Sequence, residues 1–347
     1  MKKLLITGGA GFIGSNLIYY ILKNHPEYEM LNLDALTYAG NLENLKSAEG
    51  NPRYKFLKGN IAERKDVEKA IEVLGGIDAI LNLAAESHVD RSIVDATPFL
   101  DTNIKGTFVL LETALKLGGV RFVQISTDEV YGSLGKDGKF TEETPLAPNS
   151  PYSASKASAD LLTRAYFRTH RLDAVITRCS NNYGPYQFPE KLLPLMITNL
   201  FEGKPLPVYG DGMQVRDWIY VDDHCAGIML ALERGKAGEI YNFGGNAERT
   251  NLSLVKRLVK VMGKDENELI TFVKDRPGHD RRYAIDYGKA KRELGFEPKH
   301  NIDEELENLV KWYRENESWW RRIKSGEYRG YYESLYGKGG MYGGKEK

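Results

Sequence analysis

The sequence predicts an α/β protein: a doubly wound parallel sheet followed by a smaller C-terminal α/β domain that binds substrate. Two observations support this fold class. Short apolar runs alternate with amphipathic stretches of helical length through residues 1–178, which is the rhythm of parallel strands joined by helices. Beyond residue 178 the rhythm gives way to loops rich in Asn, Pro, Gly and Tyr. The first half is therefore expected to hold one sheet with helices on both faces.

The predicted elements of the first half alternate regularly. Strands are expected at 3–7, 30–33, 54–57, 79–83, 121–126 and 174–177, and helices at 15–23, 63–74, 98–117 and 153–169. One further helix is expected at 303–322. We assign 1–178 mainly to the sheet domain and 179–325 mainly to the substrate domain, with the chain able to cross between them. Residues 326–347, rich in Gly, Tyr and Lys, form a tail whose last part we expect to be mobile.

Composition excludes several classes of protein. Lys plus Arg and Asp plus Glu each number 48, so the chain lacks a global cationic field for nucleic acid or a membrane surface, and local arginines must hold any anionic ligand. The two cysteines, Cys179 and Cys225, show neither a disulfide framework nor a metal-ligand pattern, so no metal is expected and a reducing cytoplasm fits best. No run approaches the roughly 18 apolar residues of a membrane-spanning helix. Residues 1–9 lack the features of a signal peptide.

A glycine-rich turn follows the first predicted strand. Gly8, Gly11 and Gly14 permit a tight turn into a helix whose first N–H groups can bind a pyrophosphate. Asp34 ends the second strand, 20 residues after Gly14, where a carboxylate can accept the hydroxyls of an adenosine ribose and would repel a 2′-phosphate. The pattern predicts a site for NAD rather than NADP. The alternative is an ordinary tight turn with an incidental aspartate.

A tyrosine and a lysine lie four residues apart in the predicted helix after Pro151. Tyr152 and Lys156 therefore share one helix face. A nearby ammonium favours the phenolate and is expected to lower the tyrosine pKa, which makes Tyr152 a candidate base for a sugar hydroxyl. The alternative is a solvated helix face, on which such pairs are common.

A polar triplet, Thr127, Asp128 and Glu129, follows the fifth predicted strand. It therefore opens at the carboxyl edge of the sheet, where ligands of this fold class bind. Two adjacent carboxyl groups can divide the roles of acid and base if their surroundings separate their pKa values. Taken alone, the triplet is equally a solvated Asp-Glu turn.

These motifs occur together with the run Arg-Cys-Ser-Asn-Asn-Tyr-Gly-Pro at 178–185, and in that combination the chain resembles the extended short-chain dehydrogenase/reductase family. Within the family it is similar to the nucleotide-sugar 4,6-dehydratases that act on dTDP-linked glucose, from end to end except for the tail. Supporting stretches lie at 83–90, 210–212, 216–218 and 275–280. The resemblance implies a Rossmann-type sheet, a tightly bound and recycled NAD, and a nucleotide-sugar substrate.

The resemblance also implies a reaction in three steps. Tyr152, assisted by Lys156 and Thr127, would take the proton of the sugar 4-hydroxyl while the C4 hydride passes to NAD. Glu129 would then remove the C5 proton while protonated Asp128 donates a proton to the leaving 6-hydroxyl. Return of the hydride to C6 would give the 4-keto-6-deoxy sugar nucleotide and water. The expected catalytic residues are thus Thr127, Asp128, Glu129, Tyr152 and Lys156.

Two sets of binding residues follow from the same resemblance. Those expected around NAD are Gly8, Gly11, Phe12, Ile13, Gly14, Asp34, Ala35, Leu36, Thr37, Asn60, Ile61, Leu83, Ala84, Ala85, Thr102, Tyr152, Lys156 and Asn182. Those expected around the substrate are Ser87, Thr127, Asn181, Lys191, Leu192, Pro207, Tyr209, Arg216, Asn242, Arg276 and His279. The chemistry of Arg216 and Arg276 agrees with a role in substrate binding, because a planar guanidinium makes forked bonds to a diphosphate. The alternatives are surface ion pairs for the arginines and an ordinary loop histidine for His279.

One position departs from the family pattern. At the end of the third strand the family usually has an aspartate that meets the adenine, whereas this chain has Asn60 before Ile61. Asparagine still hydrogen-bonds, but it brings an NH₂ group and lacks the carboxylate. The adenine is therefore expected to meet a different set of donors and acceptors here.

A homodimer is a further implication of the resemblance, because the family pairs two such helices across a two-fold axis. The helices are those predicted at 98–117 and 153–169. Apolar residues expected on their exposed faces are Phe108, Leu111, Leu161, Leu162 and Tyr166.

Three alternative functions remain open. A 4-epimerase of the UDP-galactose type would share the glycine turn and the Tyr152 and Lys156 pair, but it needs no acid and base to remove a 6-hydroxyl, so the carboxyl groups of Asp128 and Glu129 favour dehydration. A dehydratase for another nucleotide base is a second alternative, since the base preference follows only from overall resemblance. A non-catalytic NAD-sensing regulator is the third, and it would have no need of the catalytic side chains.

Overall fold

The apolar runs of the first half form the strands of a central sheet that is buried on both faces. The computed structural model describes residues 1–326, 330 and 334. Leu4, Leu5 and Ile6 of the first strand are each at most 1% exposed, although neighbouring side chains of a strand point to opposite faces. Helices therefore cover both faces of the sheet, which is why its strands are continuous apolar runs and not alternating ones.

Strands and helices follow one another throughout the described part of the chain. The strands in chain order are β1 (Lys2–Thr7), β2 (Tyr28–Asp34), β3 (Tyr54–Lys58), β4 (Ala79–Asn82), β5 (Arg121–Thr127), β6 (Ala174–Cys179), β7 (Asn181–Tyr183), β8 (Leu206–Tyr209), β9 (Val215–Arg216), β10 (Trp218–Tyr220), β11 (Ile240–Phe243), β12 (Arg249–Thr250) and β13 (Ile270–Val273). The α-helices are α1 (Phe12–Asn24), α2 (Arg64–Leu74), α3 (Val89–Val94), α4 (Thr97–Phe99), α5 (Thr107–Leu117), α6 (Pro151–His170), α7 (Leu192–Glu202), α8 (Val221–Arg234), α9 (Asn251–Val261), α10 (Glu266–Leu269), α11 (Gly288–Leu294), α12 (Ile302–Glu315) and α13 (Glu317–Ile323). Short 3₁₀ segments lie at Leu42–Ala48 and Asp128–Tyr131, and a π-helical segment lies at Leu100–Gly106.

Seven parallel strands form the central sheet in the order β11-β6-β5-β4-β1-β2-β3. The register places Leu4 of β1 opposite Met30 of β2 on one side and Ala79 of β4 on the other. The strand order reverses at β1, so the loops that follow β1 and β4 diverge and leave a crevice at the carboxyl edge. The sheet confirms the predicted α/β fold with a doubly wound parallel sheet.

A smaller α/β lobe carries the short sheets formed by β10 with β7, β12 with β9, and β13 with β8. Its core gathers Trp218, Leu258, Tyr313 and Trp320, each at most 3% exposed. Between these elements the chain returns to the central sheet, where α8 packs on α1 and β11 pairs with β6. The chain thus crosses between the two parts, and the domain boundary at residue 178 stays a prediction.

The strands predicted in the first half agree with the observed ones to within two residues, but two predicted helices are wrong in their continuity. The helix expected at 98–117 is interrupted by the π-helical segment, which changes the helical phase before α5. The helix expected at 303–322 ends at Glu315, because Asn316 leaves the helical conformation with φ −109° and ψ 34°. This break turns Trp319 and Trp320 into the core of the lobe.

The exposed face of α5 and α6 differs in part from the one that the sequence predicts. Phe108 and Leu161 are 41% and 55% exposed, as expected, whereas the prediction is wrong for Leu111, which is fully buried against the sheet. Leu162 and Tyr166 are partly buried against the same core. Within the predicted helical segment 98–117, Leu100 and Leu117 are also exposed, although the sequence did not single them out.

The C-terminal tail predicted at 326–347 lies outside the described residues except for Gly326, Gly330 and Ser334. No helix in the part of the chain that the structure describes combines the length and the apolar character needed to cross a membrane.

Candidate functional site

The glycine turn between β1 and α1 lies in the crevice at the carboxyl edge of the sheet. A Cβ on Gly14 would lie 2.3 Å from the carbonyl oxygen of Gly8, and a Cβ on Gly8 would lie 2.7 Å from the backbone of Ala84. Backbone atoms therefore exclude a side chain at both positions. Helix α1 begins with Gly11 as its N-cap, which supplies no capping side chain. The first N–H groups of α1 thus remain available to an anionic ligand.

Asp34 lies beside this turn at the end of β2 and is 7% exposed. Its Oδ2 accepts a hydrogen bond from the Ala10 N–H at 2.9 Å, and its Oδ1 accepts one from the Leu36 N–H at 2.8 Å. Burial raises the pKa of the carboxyl, and these two bonds lower it. Because each oxygen keeps a second lone pair, the carboxylate can hold the turn and a ribose hydroxyl together.

Asn60 lines the same pocket after β3. Its Oδ1 accepts a hydrogen bond from the Ala62 N–H at 2.9 Å, while its own N–H donates to Asp66 at 2.7 Å. The side-chain oxygen is thus used within the turn, and the NH₂ group is the part that can donate to a ligand. Contact of this amide with an adenine stays a prediction.

Strand β5 ends at Thr127 and places the polar triplet in the pocket. Thr127 Oγ1 accepts a hydrogen bond from the Glu129 N–H at 3.3 Å and so caps the 3₁₀ segment Asp128–Tyr131. Thr127, Asp128 and Glu129 line the pocket together with Tyr152 and Lys156. The structure therefore brings the five residues that the sequence assigns to catalysis into one cavity.

Helix α6 carries Tyr152 and Lys156 and begins with a capping box. Ser150 Oγ accepts a hydrogen bond from the Ser153 N–H at 3.1 Å, and Ser153 Oγ accepts one from the Ser150 N–H at 3.0 Å. Lys156 Nζ donates to the carbonyl of Ile125 at 2.7 Å, which ties the helix to β5. The start of the helix and this lysine thus fix Tyr152 beside the triplet.

The pKa of Tyr152 is raised and not lowered, so the prediction from the Tyr-Lys spacing is wrong in this structure. Burial raises the pKa well above its usual value, and the negative charge of Glu129 raises it further. Burial also lowers the pKa of Lys156. Loss of water is the largest cause of the shift, and Thr127 is the neighbour that lowers the Tyr152 pKa.

The two adjacent carboxyl groups differ in their surroundings. Burial raises the pKa of Asp128 well above its usual range, and the charges of Glu129 and Asp217 add to this effect. Burial raises the pKa of Glu129 as well, but Arg276, Lys191 and Arg216 all oppose the rise. Asp128 is therefore the group suited to stay protonated and donate, and Glu129 the group suited to ionise and accept.

Cationic side chains approach the triplet from the smaller lobe. Lys191 Nζ donates to the carbonyl of Ser87 at 2.7 Å, and Arg276 Nη1 lies 3.4 Å from Asp90 Oδ1. The Nε of Arg276 is buried and has no hydrogen-bond partner among the described residues. An anionic group of a ligand would satisfy this donor. The His279 side chain is 5% exposed, and burial lowers its pKa to about 3.

The cavity brings most of the predicted binding residues together. Its lining includes, from the NAD set, Gly8, Gly11, Phe12, Ile13, Gly14, Asp34, Ala35, Thr37, Asn60, Ile61, Leu83, Ala84, Ala85, Thr102, Tyr152, Lys156 and Asn182. From the substrate set it includes Ser87, Thr127, Asn181 and Lys191. The predicted residues that lie off this lining are Leu36, Leu192, Pro207, Tyr209, Arg216, Asn242, Arg276 and His279.

Asn242, which the sequence assigns to the substrate site, has its polar groups occupied by bonds within the protein. The residue is fully buried in β11, where its Oδ1 accepts a hydrogen bond from the Tyr131 hydroxyl at 2.9 Å and its backbone N–H donates to Glu142 at 2.9 Å. These bonds hold together the loops around the triplet. A direct contact of Asn242 with substrate stays a prediction.

Several lining residues were not identified from the sequence. Tyr38, Glu86, Cys179, Gln187 and Glu190 all face the cavity. Tyr38 directly follows the identified residue Thr37, and Glu190 directly precedes the identified residue Lys191. Their position beside identified residues was the sequence signal that could have found them. Burial raises the pKa of Glu190 to about 7, which no local pattern could have indicated.

The donor set of the cavity fits NAD. Backbone glycines exclude side chains where a pyrophosphate would pass, Asp34 suits an adenosine ribose, and the Asn60 amide suits an adenine. Elsewhere, ligand atoms of His25, Glu27 and Glu233 lie within 4.8 Å of one another. His25 Nδ1 lies 3.4 Å and 3.2 Å from the two carboxylates, so we interpret the group as a surface ion-pair cluster.

Known proteins resemble the chain over most of its length. The family model described as GDP-mannose 4,6 dehydratase matches residues 5–309. A dTDP-glucose 4,6-dehydratase of Neisseria meningitidis serogroup B is 49% identical over 95% of this chain and 98% of its own.

Two solved structures agree with these matches. The dTDP-glucose 4,6-dehydratase of Bacillus anthracis in complex with NAD is 51% identical, with a TM-score of 0.88 over 93% of this chain and 100% of its own. The enzyme of the same name from Streptomyces venezuelae, solved with NAD and a second ligand, is 50% identical, with a TM-score of 0.89 over 93% and 100%. The chain therefore belongs to the dTDP-glucose 4,6-dehydratases, NAD-dependent hydro-lyases of the epimerase/dehydratase family.

Proposed function

We propose that this chain converts dTDP-glucose to dTDP-4-keto-6-deoxyglucose and water in the cavity at the carboxyl edge of the sheet. The observation that carries the proposal is the pair of adjacent carboxyl groups in contrasting surroundings, Asp128 and Glu129, beside Tyr152. An epimerase needs the tyrosine but has no use for an acid and a base at C5 and C6. Family membership at about half identity supports the same conclusion.

The roles of the residues follow from their protonation and position. Tyr152 accepts the proton of the sugar 4-hydroxyl, and the Thr127 hydroxyl, which donates to Asp128 Oδ1 at 3.3 Å in this structure, would turn to stabilise the phenolate. When bound, NAD accepts the C4 hydride and later returns it to C6. The new 4-ketone acidifies C5, so Glu129 can remove the C5 proton, and the protonated Glu129 can return a proton to C5 when the hydride adds to C6. Asp128, held protonated by burial, donates a proton to the leaving 6-hydroxyl, which departs as water.

The substrate diphosphate is proposed to lie against the cations of the smaller lobe. Arg276 supplies its buried Nε donor, and Lys191 supplies a further positive charge. Arg216 adds a third charge, although its Nη1 and Nη2 donate to the carbonyls of Val215 and Asp280. The same cations lower the pKa of Glu129 against the effect of burial. Binding of the diphosphate and preparation of the C5 base therefore use the same side chains.

The decisive experiment is incubation of the purified protein with dTDP-glucose without added reductant. We expect the alkali-induced ultraviolet absorbance of a 4-keto-6-deoxy product with dTDP-glucose. With UDP-glucose and UDP-galactose this absorbance should be much weaker. Interconversion of UDP-glucose and UDP-galactose without keto product would show an epimerase instead. Bound NAD that responds to no sugar nucleotide would favour the non-catalytic regulator.

We further propose a homodimer that works in the cytoplasm. The exposed apolar side chains of the segment 100–117 and of α6, namely Leu100, Phe108, Leu117 and Leu161, support an interface between copies. Cys179 and Cys225 are both buried and unpaired, in accord with a reducing compartment. Leu161→Glu should convert a dimer to a monomer in analytical ultracentrifugation, and a mass unchanged from the parent would count against this interface.

A further inference from the structure

The last described helix of the smaller lobe reaches back to the cofactor half of the molecule. Trp319 of α13 is 6% exposed, and its indole Nε1 donates to Asn44 Oδ1 at 2.8 Å. Asn44 lies in the 3₁₀ segment Leu42–Ala48, after the Asp34 loop, and is 2% exposed. The two residues are 275 positions apart in sequence, so this buried contact joins the two ends of the fold.

Asn44 also forms hydrogen bonds with the glycine turn and with α1. Its Nδ2 donates to the carbonyl oxygen of Ala10 at 2.9 Å, and its backbone carbonyl accepts from the Tyr19 hydroxyl at 2.8 Å. Ala10 is the residue between Gly9 and Gly11, and its N–H donates to Asp34 at 2.9 Å. Side chains thus hold both backbone polar groups of Ala10, and its carbonyl oxygen also accepts the Asn41 N–H at 3.0 Å.

The orientation of the Asn44 amide is set by its two partners. The indole N–H can only donate, so it requires the amide oxygen, and the Ala10 carbonyl can only accept, so it requires the amide nitrogen. Removal of the indole N–H would leave a buried oxygen without a donor, and the amide would keep only its bond to the Ala10 carbonyl. Trp319 therefore supports the amide that holds Ala10.

The aromatic residues around Trp319 make this support rigid. Its ring lies 5.3 Å from that of Trp312 and 6.0 Å from that of Tyr186, both near perpendicular. The Tyr186 ring in turn stacks on Tyr19 of α1 at 6.1 Å. The helix is also tied to the 3₁₀ segment by Arg322 and Glu43, whose Nε and Oε1 lie 2.9 Å apart, but both side chains are exposed and contribute little.

We propose that Trp319 is a positioning residue for the cofactor: through Asn44 it fixes the glycine turn and so slows the release of NAD. The inference rests on the proposed placement of NAD at this turn. An enzyme whose cofactor is reoxidised within each turnover gains from slow release, because a cofactor lost in its reduced form would leave the enzyme inactive. The smaller lobe thus contributes to holding the cofactor and not only the substrate.

The test measures exchange of bound NAD from the purified protein, and Trp319→Phe is the main variant. The protein is loaded with labelled NAD, chased with excess unlabelled NAD, and sampled for retained label. Trp319→Phe keeps an aromatic ring but removes the N–H, and it is expected to speed release about tenfold, the size expected for one buried hydrogen bond. Asn44→Ala, which leaves the tryptophan in place, is expected to speed release by a similar factor. The double variant should be no faster than either single one.

Trp320→Phe is the matched control. Trp320 lies next in the same helix, is fully buried, and its indole N–H donates to the Tyr313 carbonyl at 2.9 Å. The same substitution there should lower the melting temperature while label release stays at the parent rate.

Release from Trp319→Phe at the parent rate, or equal acceleration by both tryptophan variants, would overturn the inference. Additive effects in the double variant would do the same, because they would show that Trp319 does not act through Asn44. If Trp319→Phe fails to fold, release from Asn44→Ala at the parent rate is the contrary result. A parent protein that holds no label would instead refute the proposed cofactor site itself.

Discussion

The two sides of the cavity are lined by different kinds of chemical group. On the cofactor side the glycine turn offers backbone N–H groups, and the buried carboxylate of Asp34 accepts one hydrogen bond from the turn at Ala10 and one from Leu36. On the reaction side, Asp128, Glu129 and Lys191 are ionisable groups whose pKa values are all shifted by burial. The cofactor side recognises shape, and the reaction side depends on charge.

This difference predicts different sensitivities. A backbone site does not titrate, but it fails when an added atom displaces the chain. A site of buried charges tolerates little change of charge, and its activity depends on pH through every neighbour that shifts a pKa. Substitutions on the two sides should therefore be distinguishable by which measurement they change.

The largest effect is expected from Glu129→Gln on the reaction side. Loss of the base should lower kcat about 10²- to 10⁴-fold, the usual contribution of a positioned acid or base. Oxidation at C4 should survive, so rapid-scan spectra should show NADH absorbance that rises without decay. Tyr152→Phe is the comparison variant, and it should suppress even the rise. Normal turnover by Glu129→Gln would remove this residue from the mechanism.

A smaller effect, confined to the cofactor side, is expected from Gly14→Ala. Its Cβ would lie 2.3 Å from the Gly8 carbonyl oxygen, and overpacking of this kind costs about 1–3 kcal/mol, so NAD affinity should fall roughly ten- to a hundredfold. Isothermal titration of the cofactor-free protein with NAD measures the change. Gly135→Ala is the control, since a Cβ there meets nothing within 4 Å. A shifted pH profile in Gly14→Ala would contradict the separation of the two sides.

Lys191→Met should shift the pH profile of kcat and lower kcat less than Glu129→Gln does. The lysine lowers the pKa of Glu129, so its removal raises that pKa further. Because Glu129 acts ionised, the acidic limb of the kcat profile should move to higher pH. The exposed Lys236 offers a control in Lys236→Met, which should leave the profile in place. An acidic limb that stays fixed or moves to lower pH would mean that Glu129 does not set it.

The smallest effect is expected from His279→Gln. Burial and the charges of Arg276 and Arg216 lower the pKa of His279 against the opposing contact with Asp275 at 2.6 Å, and the lowered pKa favours the neutral ring. The substitution should raise the KM for dTDP-glucose by a few fold through a lost hydrogen bond and leave the pH profile unchanged. Loss of a limb near neutral pH would show that the histidine carries charge during catalysis.

The cofactor side was the more predictable of the two from sequence. Gly8, Gly11, Gly14 and Asp34 lie within one strand-turn-helix-strand unit, so their spacing alone fixes their arrangement. The reaction side combines segments near 87, 127, 152 and 191, and its pKa values depend on burial that no spacing reports. This is why the sequence placed Tyr152 and Lys156 correctly in one cavity and was wrong about the direction of the Tyr152 pKa shift.

The sequence by itself determined the parallel sheet, the glycine turn and the residues at the ends of β2 and β5, because strand period, turn chemistry and motif spacing are local properties. Only the tertiary structure decided the interruption of the helix before α5, the burial of Leu111, and the contact of Trp319 with Asn44. Those features depend on which distant segments pack together. Long-range packing also excludes water, and the exclusion of water sets the protonation of Asp128 and Tyr152.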